Sequence, residues 1–216
     1  MTPKSIKVPF IEGLETMSPA DFNAAMAENA SSGAIACVNW PDSYPACPLV
    51  SFRIARSSAY LAVSYFVEGP DLLATQMSDN GRSWEDSCCE FFIRPGGEEY
   101  FNFETTCIGS VLAAHGPNRN ERTQIDPLDV AKVLRRSSLP HEPVEIKGGN
   151  HVWKLDILIP FGLVGLDGNS LPRSVDANFY KCGDRTATPH FLSWSPIDVP
   201  SPDFHRPDFF GKLIFK

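Results

Sequence analysis

The feature that most constrains the fold is an alternation of apolar and polar side chains that recurs in short runs along the chain. The runs at 50–54 and 153–159 both show it, with Phe52 and Leu155 at apolar positions. A period of two residues places one side of a strand against a core and the other toward solvent. The 15 Gly and 19 Pro residues favour turns between such runs. The pattern therefore predicts a mainly β structure.

Strands of this kind are predicted at many places along the chain. They cover 50–54, 61–67, 88–94, 100–107, 110–115, 153–159, 177–182, 191–195 and 212–215. About ten short strands with long polar connections are typical of a sandwich. We therefore predict an all-β fold, a two-sheet antiparallel β-sandwich of the immunoglobulin or jelly-roll type. The segment 126–138 fits a helix and a strand equally well.

One short N-terminal helix is expected beside the strands. Ser18 suits the cap position, and Pro19 suits the first helical position. Phe22 and Met26 follow at helical spacing, so one side of the helix is apolar. Gly33 is expected to end it, because glycine is common just beyond a helix.

The length of the chain favours a single domain, since 216 residues supply one sizeable core. Residues 1–33 are expected to contribute an N-terminal strand and helix that pack on the domain. Residues 34–216 are expected to form the β-sandwich itself. No internal repeat or linker marks a second domain.

The charge balance limits the classes of partner. Lys and Arg number 19 and Asp and Glu 26, which gives a net charge of −7. Nucleic-acid binding and docking on anionic membranes both need basic surface, so neither partner is expected. No stretch reaches the roughly 18–20 apolar residues that a membrane helix needs. The N-terminal residues lack a secretory apolar core, so a cytoplasmic location is the default expectation, with a periplasmic or exported one for a trimmed chain.

Six cysteines lie at positions 37, 47, 88, 89, 107 and 182. None forms a C-x-x-C pair, so the usual pattern of a zinc ribbon or a thioredoxin-type site is missing. Reduced and mostly buried cysteines are expected, because free cysteine is among the most buried residue types.

Two tryptophans are candidates for exposed binding platforms. Trp84 lies in the polar loop 80–86 just before a strand, and Trp194 lies near a strand end before a Pro-rich stretch. Trp153 alternates with apolar residues within a strand, so core packing is expected for it. An exposed indole can stack on a sugar ring, a nucleobase or a partner protein. The alternative for each of the first two is an ordinary core tryptophan.

Glu90 is a candidate acidic group, because it interrupts an otherwise apolar strand. A carboxylate among aromatic residues is costly to bury unless it is paired or hydrogen-bonded. It can accept hydrogen bonds from two neighbouring hydroxyls of a sugar, or it can form an ion pair with Arg94 or another basic residue. Asn102 would lie beside Glu90 if their strands pair, and its amide suits a hydroxyl or a structural cross-strand bond.

Three blocks resemble carbohydrate-binding module family 9 and its bacterial relatives. They are SWEDSCCEFFI at 83–93, YFNFE at 100–104, and SWSP at 193–196 together with DFHRPDFFG at 203–211. The resemblance extends over most of the chain from Ala34 onward. It implies a β-sandwich that binds a sugar between two tryptophans.

The resemblance also implies roles for individual residues. Trp84 and Trp194 would be the two walls, and Glu90 would bind hydroxyls. Asn102 falls near the position where sugar-binding members have an arginine, and Asn178 and Lys181 are further candidates. No cofactor is assigned, although a structural calcium ion remains an option whose ligands the sequence does not identify.

The predicted function is therefore a non-catalytic carbohydrate-binding module for a mono- or oligosaccharide. One alternative is a protein-interaction or structural sandwich that has lost its sugar site, because Asn102 departs from the family pattern. A less favoured alternative is a glycoside hydrolase, which would need Glu90 together with Glu85, Asp86 or Glu104 as a second carboxylate.

Overall fold

A computed structural model describes residues 4–215 of the chain. The strands are β1 (Ser5–Val8), β2 (Ser31–Ala34), β3 (Cys37–Val38), β4 (Leu49–Arg56), β5 (Tyr60–Gly69), β6 (Leu72–Ala74), β7 (Cys88–Arg94), β8 (Tyr100–Thr106), β9 (Val111–Gly116), β10 (Thr123–Gln124), β11 (Leu134–Ser137), β12 (Val144–Ile146), β13 (His151–Pro160), β14 (Ser174–Cys182), β15 (Phe191–Ser193) and β16 (Gly211–Phe215). The helices are α1 (Pro19–Asn29) and α2 (Pro127–Val130), with 3₁₀ turns at Leu14–Thr16, Ser83–Glu85, Phe161–Val164 and Pro207–Phe209.

The strands form two principal sheets that pack face to face. The larger sheet has the order β1-β16-β14-β7-β8-β9-β10, with β15 paired to β14 and β3. The smaller sheet has the order β11-β13-β5-β4-β2, and β12 pairs with β6 beside them. Pairing is antiparallel, apart from the parallel pair of β1 with β16. The predicted β-sandwich is confirmed.

The core between the two sheets is built from aromatic and branched side chains on their facing sides. Phe52 of β4 stacks on Phe179 of β14 with ring centroids 3.8 Å apart, and Phe91 of β7 packs against Phe179. Trp153 is 3% exposed and belongs to this core, as its alternation predicts. Burial of these rings supplies much of the hydrophobic stabilisation of the fold.

The predicted N-terminal helix is confirmed, but its predicted end is wrong. The Ser18 side chain accepts a hydrogen bond from the Asp21 amide, and Phe22 and Met26 are buried. The helix ends at Asn29, and Gly33 lies in β2 opposite Phe52. A Cβ atom on Gly33 would lie 2.7 Å from the Phe52 ring, so this glycine allows close packing instead of ending a helix.

Other local features agree with the sequence. The ambiguous segment 126–138 contains both elements, since α2 begins after the Asp126 cap and β11 follows it. Neither of the α-helices within residues 4–215 has the length and apolar character needed to cross a bilayer. That residues 1–33 and 34–216 belong to one domain, with the β-sandwich beginning at residue 34, stays a prediction.

The centre of the larger sheet is buried on both of its faces. The inner face belongs to the inter-sheet core, and the outer face is covered by a second apolar cluster that includes Trp40, Tyr100, Phe204 and Phe210. This explains why β7 is apolar almost throughout instead of alternating. The outer face also contains a cleft, which is the candidate site.

Candidate functional site

The register of β14, β7 and β8 determines which side chains meet on the outer face. Glu90 of β7 lies between Tyr180 of β14 and Glu104 of β8, and Cys88 lies opposite Cys182 of β14. Above these residues is a cleft of about 290 Å³. This volume is at the lower end of the roughly 300–1,000 Å³ that is usual for small-molecule pockets.

Trp84 lines one part of this cleft from the 3₁₀ turn that precedes β7. Its side chain is half-buried, so part of the indole faces the open space. The backbone carbonyl of Trp84 accepts a hydrogen bond from the Asp184 amide at 3.3 Å. The turn is therefore fixed to the end of β14, which holds the indole in place over the cleft.

Three further aromatic side chains line the cleft, namely Tyr44, Phe191 and Phe204. Tyr44 meets Phe191 edge-on, with ring centroids 4.7 Å apart and an interplanar angle of 81°. Trp40 supports this group from behind, since it contacts both Phe191 and Phe204. The cleft thus has apolar surface that can pack against the C–H groups of a ring.

Glu90 lies at the floor of the cleft and is only 3% exposed. The Cys182 thiol donates a hydrogen bond to its carboxylate at 3.0 Å. Burial raises the pKa of Glu90 well above its usual range, and the neighbouring Glu104 carboxylate adds to the rise. The alternative ion pair with Arg94 does not form, because Arg94 binds Asp176 at 2.7 Å.

Glu104 is held by two donors. Asn102 Nδ2 donates to Glu104 Oε1 at 3.0 Å, and Arg122 Nη1 lies 3.4 Å from the same oxygen. Burial raises the pKa of Glu104 to about 7, although the Arg122 guanidinium opposes the rise. Burial likewise raises the pKa of Asp184, to about 6, and Arg119 opposes it. The cleft therefore holds carboxyl groups that titrate closer to neutrality than exposed ones.

The sequence matches the model of carbohydrate-binding family 9 over residues 21–215. The chain belongs to carbohydrate-binding family 9. Among curated proteins, none matches the chain at a significant level.

Several solved structures are similar to this chain. A crystal structure of a candidate carbohydrate-binding protein from Bacteroides uniformis ATCC 8492 is 38% identical, with a TM-score of 0.89 and 100% coverage of both chains. Two structures of a family-9 module from Caldicellulosiruptor kristjanssonii, one with glucose and one with cellotriose, have TM-scores of 0.55 and 0.57. They are 12% identical, cover 99% of this chain, and are covered over 96% and 94% of their own length. At that identity the likeness shows the fold.

The prediction of Trp194 as a second open wall is wrong for this family-9 chain. Trp194 is 4% exposed and lies in the inter-sheet core, where it meets Phe52 and Phe179 edge-on. Two glycines make room for it, since a Cβ atom on Gly211 would lie 2.5 Å from the indole and one on Gly33 would lie 3.3 Å away. The indole therefore has no surface to offer a ligand.

Three other predicted site residues, Asn102, Asn178 and Lys181, are buried and do not line the cleft. Asn102 lies opposite Phe92, two residues from the position beside Glu90, and it binds Glu104 and Arg122. Its amide thus positions cleft side chains without facing the ligand space.

Asn178 and Lys181 serve the fold. The Asn178 side chain accepts a hydrogen bond from the Ser195 amide at 2.8 Å and donates to the Ser195 carbonyl, so it anchors the segment after β15. Lys181 points to the inner face, where its ammonium group lies 2.9 Å from His190 and over the Trp153 ring.

Sequence reasoning missed several residues of the cleft. Arg119 and Arg122 come from the loop between β9 and β10, and the Arg122 guanidinium group binds Asn102, near which the resemblance predicts a family arginine. His205 also lines the cleft, and its Nδ1 lies 2.8 Å from the Tyr100 hydroxyl. A buried glutamate needs a cationic or hydrogen-bonding partner, so the sequence indicated that such a residue exists. The spacing of residues along the strands does not show where in the chain that partner lies.

Proposed function

We propose that the cleft binds a mono- or oligosaccharide without catalysing a reaction, with Trp84 as its stacking surface. The observation that supports this most strongly is the half-buried indole beside the Glu90 and Glu104 carboxylates in a chain of carbohydrate-binding family 9. A sugar ring has an apolar C–H face and polar edges, so it matches a surface that combines an aromatic ring with polar groups.

The proposed site differs from the predicted arrangement of two tryptophan walls in both its apolar and its polar side chains. Tyr44 and Phe191 take the place of Trp194 as apolar surface away from Trp84. The Glu104 carboxylate accepts hydrogen bonds from hydroxyls, and Arg122 donates to a ring or hydroxyl oxygen. The buried Glu90 carboxyl group, whose pKa is raised, exchanges a hydrogen bond with a hydroxyl as a neutral partner. Hydrogen bonds to charged groups such as Arg122 are about twice as strong as neutral ones, which favours this combination.

His205 adds a neutral polar group at the edge of the site. Burial lowers the pKa of His205 to about 2, and the nearby Arg122 and Arg119 charges add to the effect. The imidazole therefore stays uncharged at physiological pH, and it can exchange a hydrogen bond with a hydroxyl without attracting an anion.

A short glucose-based saccharide is the ligand class that we favour. A family-9 module of the same fold has solved structures in complex with glucose and with cellotriose. The modest volume of the cleft fits a single ring or the end of a short chain better than a long saccharide. Calcium binding by this chain stays a prediction.

The test is titration of glucose and cellotriose into the wild-type protein and Trp84→Ala, followed by calorimetry. We expect the variant to bind roughly 10- to 100-fold more weakly, because removal of a stacking aromatic ring lowers the binding free energy by about 1–3 kcal/mol. Trp84→Phe should recover part of the affinity. The matched control is Leu128→Ala, since Leu128 is a large exposed side chain of α2 that does not line the cleft.

Equal affinity in wild type and Trp84→Ala would contradict stacking on this indole. Absence of binding by the wild type, with a protein partner captured in its place, would favour the interaction module. The facing Glu90 and Glu104 carboxyls are the one feature that a hydrolase would need. Turnover of an aryl glycoside that disappears in Glu90→Gln would overturn the non-catalytic proposal.

A further inference from the structure

Two thiols and a carboxylate converge at the floor of the cleft. Cys88 of β7 lies directly opposite Cys182 of β14, and Glu90 follows on the same face of β7. Each of the three residues offers one donor atom, and these atoms all lie within 4.8 Å of one another. All three side chains are at least 97% buried, with exposures of 0%, 1% and 3%. The strand pairing therefore holds the donors in fixed positions.

Glu104 provides an independent observation at the same place. Its Oε1 atom accepts hydrogen bonds from Asn102 and Arg122, but its Oε2 atom is buried without a hydrogen-bond partner among the described residues. Glu104 lies opposite Glu90 and lines the same cleft. A buried carboxylate oxygen without a partner costs free energy unless a ligand compensates for it.

We propose that Cys88, Cys182 and Glu90, completed by Glu104, form a binding site for Zn²⁺ at the floor of the cleft. In a tetrahedral zinc site with metal–ligand distances of about 2.0–2.3 Å, the ligand atoms lie roughly 3.3–3.8 Å apart. The donor atoms of Cys88, Cys182 and Glu90 lie within 4.8 Å of one another and reach this range by small side-chain shifts, whereas Glu104 lies outside this group of three and has to move further to complete the site. Two thiolates favour a soft ion, and two carboxylates favour Zn²⁺ over Cu⁺.

The arrangement meets the further requirements of a metal site. Cys182 and Glu90 both line the cleft, so an ion can reach the donors from solvent. Each thiol loses its proton to solvent when it binds the metal. Asn102 and Arg122 act as outer partners that orient Glu104, and the Arg122 charge offsets part of the excess negative charge of the four ligands.

The test uses the full-length chain without a histidine tag, stripped with a chelator and kept reduced by a phosphine. Titration with CoCl2 should produce one equivalent of thiolate-to-metal charge-transfer absorption, and ZnCl2 should abolish it by displacement. Cys88→Ser and Cys182→Ser should each weaken Co²⁺ binding by more than roughly 100-fold, since even the loss of outer partners costs 10- to 100-fold. Cys47→Ser is the control, because Cys47 is exposed and lies outside the cluster.

Several results would overturn the zinc site. The wild type would show no thiolate absorption, or the absorption would survive in both serine variants. A third such result, in the absence of the phosphine, is oxidation of Cys88 and Cys182 to a disulfide at a rate that ZnCl2 does not lower. Should a serine variant fail to fold, Glu90→Gln takes its place, with an expected loss of affinity and of one equivalent bound in native mass spectrometry. Trp84→Ala should keep the metal affinity while it loses sugar affinity, so failure of the zinc site and failure of the sugar site are distinguishable.

Discussion

The two faces of the larger sheet are both buried at its centre, but they are built from different chemistry. The inner face presents Phe91 and Phe179 to the smaller sheet, and their rings pack with Phe52. The outer face presents Glu90 and Cys182, which line a cleft. The inner face therefore stabilises the fold by packing, whereas the outer face holds buried polar groups that the fold alone does not require.

The two candidate tryptophans divide between these regions. Trp194 lies in the inter-sheet core, and Trp84 lies at the cleft of the outer face. Both stand near strand ends in polar surroundings, so their local sequences are similar. The difference comes from distant residues, since Gly33 and Gly211 leave room for the Trp194 ring. Local sequence thus identifies candidate platforms, but burial depends on what packs against them.

The largest expected effect is the loss of stability in Trp194→Ala. Removal of a large buried aromatic side chain costs about 3–5 kcal/mol, because transfer and cavity terms add. Urea denaturation should show this loss in the free energy of unfolding, while Trp84→Ala should change it by less than about 1 kcal/mol. Where Trp194→Ala remains folded, its affinity for sugar should equal that of the wild type. Similar stability losses in both variants would break the contrast between the two regions.

The architecture was predictable from the sequence because it depends on local patterns. Alternation located long strands such as β4 and β13, although short strands such as β6 and β10 were not predicted, and the Ser18-Pro19 pair located the start of α1. The end of α1 was mistaken because Gly33 serves tertiary packing, where its missing Cβ matters more than its turn preference. Periodicity in the sequence predicts which face of a strand a side chain lies on, but not which distant side chain packs against it.

The site was predictable only in part, for a related reason. Glu90 stood out because a carboxylate interrupts an apolar strand, and Trp84 stood out because it lies in a polar loop. Both line the cleft. Asn102 was placed two residues out of register with Glu90, and Arg122 was missed because it reaches Glu104 from a loop. Register and loop geometry depend on contacts that are distant in sequence.

The buried carboxyl groups of the outer face should make the free energy of unfolding depend on pH, and this effect is expected to be smaller than that of Trp194→Ala. Burial raises the pKa of Glu104 to about 7 from its ordinary value of 4.5. Between these values the folded protein binds more protons than the unfolded one, so the free energy of unfolding falls as pH rises. The contribution from Glu104 is on the order of 3 kcal/mol across this window.

The comparison of wild type with Glu104→Gln measures this contribution together with the part of the Glu90 pKa rise that the Glu104 charge causes. Burial lowers the pKa of His190 to about 3 and that of His205 to about 2, so both oppose the trend by making stability rise with pH up to about 6.5. Those terms cancel when the two proteins are compared. Denaturation at pH 4.5, 6 and 7.5 should show the wild type losing stability relative to the variant as pH rises. A constant difference would mean that Glu104 titrates as an exposed carboxyl.

The smallest effect compares two buried asparagines, one outside the cleft and one beside it. Asn178 bonds to backbone groups of the segment after β15, including the Ser195 amide, whereas Asn102 bonds to Glu104 and Arg122. Asn178→Ala should lower the free energy of unfolding by about 1–2 kcal/mol, because it leaves a buried amide unpaired, and should leave sugar affinity unchanged. Asn102→Ala should cost a similar free energy and also weaken sugar binding, since Glu104 and Arg122 lose their shared partner. Calorimetry and urea denaturation on both variants measure this separation, and weaker sugar binding in Asn178→Ala would show that the cleft depends on the whole outer face.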